Sequence, residues 1–434
     1  MLLKRFQLGL IHVAVAMTLV PINSTLNRVM IKELAISATV VALLASLPYL
    51  FSPIQVAIGS FSDRHPLLGF RRSPYIALGL GLCVFGVVLS PQAAFVLADD
   101  WFAGLSLGIL AFGAWGMGFN FATVSYLSLA SELSGEKGRG KTIAVMWFMM
   151  IASLIVTAIG ISRMVDPYTP QALEQAFWTV GLVALLLGML GLIRLEKPFE
   201  GERPASGENY SWRLMARAIL SNRQATIFFF YLLILLAAIL GQDIVLEPFG
   251  GEAFGMTVRE TTRITSIWGT CVLVALLFAA VLEGRVSKKT IAVWGALIGL
   301  VGFVLIAASG FTFSTSVFYS GVVLLGLGTG LSTVSNLSLM LDMTTAESVG
   351  LFIGAWGMSN ALSRLTGSLL AGAVRDIATQ ILQSPVLGYV TVFGIQAGML
   401  VVSLILLRKI DAGAFRRQVK QPGIVERAAI AQDV

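Results

Sequence analysis

The sequence is poor in charged residues. Only 12% of its 434 residues are Asp, Glu, Lys or Arg, whereas soluble domains carry about 25%. So few charges cannot cover the surface of a soluble protein of this size. Hydrophobic residues make up 56% of the chain, and the mean hydropathy is +0.85. The composition therefore predicts an integral membrane protein in a lipid bilayer.

Cysteine and histidine are also scarce. The two cysteines, Cys83 and Cys271, lie in apolar runs, which excludes a disulfide scaffold and a cysteine-based zinc site. The two histidines, His12 and His65, are too few for a multi-histidine metal centre. The net charge of +7 would suit nucleic acid, but the positions of the basic residues explain it as membrane topology. We expect neither a nucleic-acid partner nor a metal bound by protein ligands alone.

Long apolar runs divide the chain into membrane spans. A helix needs about 20 apolar residues to cross the hydrocarbon core. The predicted spans are 6–27, 36–60, 73–91, 102–131, 141–163, 174–194, 224–246, 262–282, 289–309, 316–341, 348–374 and 386–407. The first span is too long, and too polar at its end, for a cleaved signal peptide. The sequence predicts an all-α membrane protein with twelve transmembrane helices.

Basic residues are concentrated in alternate loops. Most of the 30 Lys and Arg fall on the side of the predicted bundle that carries both termini. The opposite side holds Arg28, Lys32, Arg163, Arg259, Arg263 and Arg375. Because cytoplasmic loops are enriched in Lys and Arg, this distribution predicts that both termini are cytoplasmic.

An internal repeat divides the chain into two halves. The stretch GMGFNFATVSYLSL at 116–129 aligns without a gap with GLGTGLSTVSNLSL at 326–339, which places span 4 over span 10. Parallel six-helix repeats are the architecture of the major facilitator superfamily. We expect a major facilitator fold whose units are an N-terminal six-helix half (1–194), a cytoplasmic linker (195–222), a C-terminal six-helix half (223–410) and a cytoplasmic tail (411–434).

The loop between spans 2 and 3 carries a motif. GSFSDRHPLLGFRR, 59–72, resembles the facilitator loop signature through Gly59, Asp63-Arg64 and the basic pair Arg71 and Arg72. Glycine permits close helix packing, and an aspartate can face the positive end of a neighbouring helix. A generic basic loop is the alternative interpretation. The motif predicts a conformational role and names no substrate.

Polar residues interrupt the ends of spans 1 and 7. TLNRVMIKEL, 25–34, contains Asn27 and Arg28 near the predicted membrane boundary. QDIVLEPFGGEAFG, 242–255, contains Asp243, Glu247 and Glu252 around a proline and a glycine pair. We expect the proline and glycines to break the helix there, an arrangement tolerated where backbone lines a cavity.

Two further polar residues lie inside predicted spans. Arg364 in span 11 has no carboxylate within a turn of its own helix, so it should face the bundle interior and an acid on another helix. Its candidate partners are Glu132, Asp342 and Glu247. His12 lies in span 1, where an imidazole can act as a metal ligand. A histidine that only packs between helices is the alternative.

The stretches TLNRVMIKEL, 25–34, and DIVLEPFGGEAFGMTVRETTRIT, 243–265, resemble the PucC-type (bacterio)chlorophyll delivery branch of the major facilitator superfamily, which includes LhaA-like proteins. The resemblance covers about 1–410. It implies a protein that brings chlorophyll-type pigment to nascent light-harvesting or photosystem subunits in a thylakoid or bacterial inner membrane. The short segment before span 1 is more similar to cyanobacterial relatives, which favours chlorophyll a as cargo over bacteriochlorophyll.

The candidate pigment-binding residues follow from these signatures and from the cost of burying charge. They are His12, Asn27, Arg28, Asp243, Glu247, Glu252 and Arg364. A secondary transporter of a small solute, working by alternating access, is the alternative function. The sequence has no nucleophile elbow, dinucleotide fingerprint or prenyl-diphosphate aspartate motif, so we do not expect an enzyme.

Overall fold

The structure is a computed structural model. It describes residues 2–52, 54–198, 217, 219–220, 222–282, 285–343, 349–411, 413 and 415. Within these ranges it leaves out the side chains of residues 56, 57, 60, 63, 136, 137, 139, 140, 280, 341 and 349–354. Most of the predicted linker and tail therefore lies outside the described residues.

The described residues are almost entirely helical. The α-helices are α1 (Leu2–Met17), α2 (Ala38–Ala45), α3 (Leu47–Leu50), α4 (Ile54–Arg64), α5 (Ser73–Asp99), α6 (Trp101–Met164), α7 (Pro170–Leu192), α8 (Arg223–Gly241), α9 (Leu246–Phe254), α10 (Val258–Leu282), α11 (Lys288–Thr312), α12 (Thr315–Asp342), α13 (Val349–Leu382) and α14 (Pro385–Arg408). Pro21–Leu26 and Val29–Glu33 are π-helical and extend α1, and Gln242–Ile244 is a 3₁₀ turn between α8 and α9.

Ten helical segments of the described chain are long and apolar enough to cross a membrane. They coincide with ten of the twelve predicted spans. The eleventh predicted span lies on α13, and the second is divided among α2, α3 and α4. The prediction of a twelve-span, all-α bundle is confirmed, and the fold has the major facilitator architecture.

Polar side chains begin several of these helices. Asp100 accepts hydrogen bonds from two backbone N–H groups at the start of α6, and Asn222 does the same for α8. Thr169, Ser287 and Ser384 each accept one such bond at the starts of α7, α11 and α14. Because the first N–H groups of a helix have no partner within it, these caps fix where the spans start.

Three helix ends differ from the predictions. Span 2 is interrupted because Pro48 lies at the start of α3, where it cannot continue the hydrogen bonds of α2. Span 1 continues to Glu33, about two turns beyond the predicted end at 27, through its π-helical segments. The predicted loop 132–141 is helical except at Gly135, whose φ of 61° turns the chain between the two halves of α6. Glycine tolerates this left-handed conformation without a steric penalty.

The internal repeat is visible in the packing. A Cβ added to Gly118 of α6 would lie 2.5 Å from the carbonyl oxygen of Gly79 in α5. At the equivalent position of the second half, a Cβ on Gly328 of α12 would lie 2.7 Å from the carbonyl oxygen of Gly295 in α11. Both pairs therefore need glycine for the backbones to approach so closely.

The halves also pack against each other on the side opposite the termini. The carboxylate of Asp376 in α13 accepts hydrogen bonds from the backbone N–H groups of Ala38 and Thr39, at 3.2 and 2.8 Å, and from the Ser37 hydroxyl at 2.6 Å. It therefore caps the first turn of α2 from the other half. Arg259 in α10 forms an exposed ion pair with Asp166, which follows α6.

Candidate functional site

A polar cluster joins the two halves near the middle of the bundle. Arg364 lies near the middle of α13, and its Nη1 donates a hydrogen bond to the Tyr49 hydroxyl at 3.2 Å. The same nitrogen lies 4.0 Å from Oδ2 of Asp243. The Arg364 and Asp243 side chains keep 32% and 29% of their surface accessible. We call Tyr49, Asp243 and Arg364 the central cluster.

The geometry leaves part of the Arg364 guanidinium available. A guanidinium carries five N–H donors in a fixed plane, and the 4.0 Å approach to Asp243 is too long for a hydrogen bond. Within the described part of the chain, Tyr49 accepts the one hydrogen bond that the Arg364 side chain makes. The guanidinium carbon also lies 5.3 Å from the centre of the Tyr49 ring. The cluster can therefore donate further hydrogen bonds to a guest between the halves.

Glu247 lies in the first turn of α9 and is buried between the two halves. Its Oε1 accepts hydrogen bonds from the Ser24 hydroxyl of the first half and from the Thr265 hydroxyl of the second half, the latter at 2.5 Å. Its Oε2 is buried and has no hydrogen-bond partner among the described residues. A buried carboxyl group with an unpaired oxygen costs free energy, so this position calls for a physical explanation.

The break that positions these acids is not where the sequence predicts it. The helix stops at Gly241 and passes through the 3₁₀ turn Gln242–Ile244, while Pro248 and the following glycines lie within α9. Proline is tolerated there because the first turn of a helix has no partner for its N–H groups. The break places Asp243 in the turn, beside Arg364, and Glu247 in the next helix, where it bonds to Ser24 and Thr265.

Arg28 is buried within the protein. Its guanidinium bonds to the Glu33 carboxylate and donates to the carbonyl oxygen of Met256 at 2.9 Å. A Cβ added to Gly251 would lie 2.9 Å from Arg28 Nη2 and 3.1 Å from its Cζ. The guanidinium therefore rests on the backbone of α9, and a side chain at Gly251 would require it to shift.

The remaining signature residues complete this contact. Lys32 and Glu252 form an ion pair at 3.0 Å between the end of span 1 and α9. Asn27 is fully buried and donates to the backbone carbonyl of Asn23 at 3.0 Å, while its own Oδ1 has no partner in the described chain. The two stretches that carry the family resemblance thus pack on each other across the boundary between the halves.

His12 belongs to a different cluster. Its ring centre lies 5.1 Å from that of Tyr126 in α6 and 6.4 Å from that of Trp147. The side chain is buried, and Nδ1 has no hydrogen-bond partner among the described residues. All the contacts found for His12 lie in the first half, whereas Arg364 of the central cluster lies on α13 in the second half.

The loop motif forms a separate network on the side of the termini. Arg72 donates to Glu132 Oε1 at 3.0 Å and to the Ser62 hydroxyl at 2.6 Å, and Arg71 lies 3.4 Å from the same carboxylate. A Cβ added to Gly59 would only touch Val124, at 3.4 Å. Arg64 is exposed, and the Asp63 side chain lies outside the described residues.

The predicted partners of Arg364 were wrong. Glu132 pairs with the loop motif, Asp342 pairs with Lys288 at 2.8 Å, and Glu247 bonds to hydroxyl groups. The acid beside Arg364 is Asp243. The sequence pattern does not locate the 3₁₀ turn Gln242–Ile244. This turn brings the carboxylate of Asp243 to Arg364.

Sequence reasoning also missed several polar residues. Ser24, Tyr49 and Thr265 supply hydroxyl groups to the site, and Asp376 caps α2. Hydroxyl residues are common in membrane helices, so their type gave no signal. The available signal for the cap was an aspartate two residues beyond the predicted end of span 11.

Comparison with known proteins places the chain in a family. The sequence model of the family described as PUCC protein matches residues 25–415. The chain belongs to the PucC family. Protein PucC of Cereibacter sphaeroides is 33% identical over 428 residues, which cover 93% of this chain and 91% of that protein.

Two further comparisons bear on fold and activity. The crystal structure of the nucleoside transporter NupG superposes with a TM-score of 0.71 over 94% of this PucC-family chain and 99% of NupG, at 16% identity, which shows a shared fold. The Bacteriochlorophyll synthase 44.5 kDa chain of Rhodobacter capsulatus is 26% identical over 93% of this chain and 94% of that protein. The shared fold confirms the predicted major facilitator architecture.

Proposed function

We propose that the protein binds a chlorophyll-type pigment between its two halves and delivers it to light-harvesting or photosystem apoproteins. The observation that carries the proposal is that 25–34 and 243–265, the stretches with the PucC resemblance, meet at the boundary between the halves beside the central cluster. Membership of the PucC family supports it.

The chemistry of the cluster suits such a guest. A chlorin is a large apolar ring with keto and ester carbonyl oxygens at its edge. Free N–H donors on Arg364, held at mid-depth among apolar helices, can bind such an oxygen while the bundle shields the ring from water. Few polar groups within a mainly apolar cavity are the usual pattern of a small-molecule site.

His12 is our candidate for the axial ligand of the pigment's magnesium. The support is a buried imidazole with an unpaired nitrogen beside two aromatic side chains, Tyr126 and Trp147. Its separate location makes it a second contact point, either for the same pigment or for one entering the first half. We propose chlorophyll a as cargo, with bacteriochlorophyll as the alternative, in a photosynthetic membrane with both termini cytoplasmic.

The test begins with protein purified in mild detergent from its native photosynthetic membrane. We expect a chlorin absorption spectrum near one pigment per chain, and light-harvesting or photosystem subunits in mass spectrometry of the preparation. The band positions separate chlorophyll a from bacteriochlorophyll. Arg364→Met and Glu247→Gln, expressed at normal level, should each lose pigment and impair antenna assembly, while Asp166→Asn at the exposed ion pair should do neither.

A secondary transporter of a small solute is the second candidate. The observation in its favour is the fold shared with a nucleoside transporter, since two six-helix halves of this kind rock around a central site. A colourless protein without photosynthetic partners in repeated gentle preparations would support this function and contradict pigment delivery.

A further inference from the structure

The central cluster holds a cation whose charge is already balanced. Arg364 and Asp243 lie 4.0 Å apart, and both side chains are partly accessible. Asp243 is itself held in place, because its Oδ1 accepts a hydrogen bond from the Gln242 side chain at 2.6 Å. The buried carboxyl group of Glu247 lies one helical turn further along the chain. Together these groups leave the cluster with no net positive charge.

The other arginine near this boundary does not change the balance. Arg28 is occupied by Glu33 and by the carbonyl oxygen of Met256. Lys32 is likewise paired with Glu252. Arg28 and Lys32 are therefore committed to protein acceptors, whereas Arg364 keeps unused N–H donors on a partly accessible side chain.

A guest with a carboxylate and a guest without one meet this cluster differently. A carboxylate could reach the same unused N–H donors of Arg364, but it would then share this one counter-charge with Asp243. It would also be repelled by that acid at short range. A neutral carbonyl oxygen needs only one of the unused N–H donors of Arg364, and the ion pair stays intact.

We propose that Asp243 is a specificity determinant: by neutralising Arg364, it makes the central cluster accept the esterified, uncharged form of a chlorin pigment and reject the free acid of the same pigment. This inference rests on the proposed function. It adds the chemical form of the cargo and the residue that selects it. Delivery would then follow the step that esterifies the pigment's propionate side chain.

The experiment measures binding of two ligands that differ in one group. The methyl ester of the pigment's propionate and the corresponding free acid are titrated against full-length protein in detergent at about pH 8, where an unperturbed carboxyl group is ionised. Binding is followed by quenching of the fluorescence of the eight tryptophans. We expect the wild-type protein to bind the ester at least about tenfold more tightly than the acid, a ratio that corresponds to about 1.4 kcal/mol.

Variants then test the assigned residue. Asp243→Asn frees the Arg364 charge, so the affinity for the acid should rise at least about tenfold relative to the affinity for the ester. The gain should vanish in Asp243→Asn combined with Arg364→Met. Asp166→Asn, which removes an acid from the exposed surface pair, is the matched control and should leave both affinities unchanged.

The outcomes distinguish the role of Asp243 from pigment binding itself. The role of Asp243 would be overturned if the wild type bound both forms equally or bound the acid more tightly. It would also be overturned if Asp243→Asn left the ratio of the two affinities unchanged. Pigment binding itself would stand in each case. The wild-type comparison holds even where a variant fails to fold. If neither the wild type nor any variant bound either form, the proposed function would be refuted, and so would this inference.

Discussion

The cap that Asp376 places on α2 gives a quantitative prediction about how the halves are held together. Its carboxylate accepts bonds from two backbone N–H groups and from the hydroxyls of Ser37 and Thr39, at 2.6 to 3.2 Å. Arg375 donates to the same carboxylate at 3.0 Å. Asp376→Ala removes these acceptors at once and leaves the first turn of α2 uncapped.

The expected loss follows from the contacts. A helix cap contributes about 0.5–2 kcal/mol, and hydrogen bonds to a charged group contribute about 1.5–3 kcal/mol each in partly buried settings. Because Ser37 can cap the helix itself once its partner is gone, we expect a net loss of about 2–4 kcal/mol for Asp376→Ala. The Asp376 side chain is only 16% exposed, so solvent offers little compensation.

The assay is thermal unfolding of the detergent-purified protein, followed by the fluorescence of its eight tryptophans. The control is Asp166→Ala, which removes another ion pair between the halves on the same side. Its side chain is 39% exposed, and exposed pairs contribute about 0–1 kcal/mol. We expect the apparent Tm to fall clearly further for Asp376→Ala. Equal shifts for the two variants would refute the assignment of Asp376 as a buried cap.

Four further substitutions test local contacts. Gly118→Ala should destabilise the protein by about 1–3 kcal/mol because the new Cβ would overlap α5, whereas Gly113→Ala, with nothing within 4 Å, should be neutral or stabilising in the same unfolding assay. Gly251→Ala should displace the Arg28 guanidinium and lower the apparent Tm; an unchanged Tm would show that the arginine does not rest on this backbone. Glu196→Gln should cost about 1 kcal/mol, since this carboxylate accepts three backbone N–H bonds at the start of α5; chemical denaturation of both proteins measures the difference.

The fold was predictable because it depends on averages over many residues. Hydropathy over about 20 residues finds a span wherever it lies in the bundle, and the repeat between 116–129 and 326–339 relates the halves without any knowledge of contacts. The repeat even identifies equivalent packing positions, since Gly118 and Gly328 make the same close approach. Errors in the fold were confined to places where one residue decides, such as Pro48 and Gly135.

The site was less predictable because it depends on pairs of residues far apart in sequence. Arg28 lies where an apolar run ends, and the sequence does not show that its partners are Glu33 and the carbonyl oxygen of Met256. Arg364 was correctly expected to need an acid, but the sequence offered several, and a single 3₁₀ turn selected Asp243. Burial cost shows which residues need partners, and only the three-dimensional arrangement supplies them.

The distribution of charge at the boundary between the halves bears on why this site exists. Buried ion pairs are poor sources of stability, because apolar side chains of similar volume often hold a fold equally well. This chain nevertheless places Arg28, Asp243, Glu247 and Arg364 between or beside its halves, with an unpaired oxygen on Glu247 and unused donors on Arg364. A purely structural role does not account for unused hydrogen-bonding groups in such a place. The guest that we propose, with a few polar atoms on a large apolar body, would fill those positions.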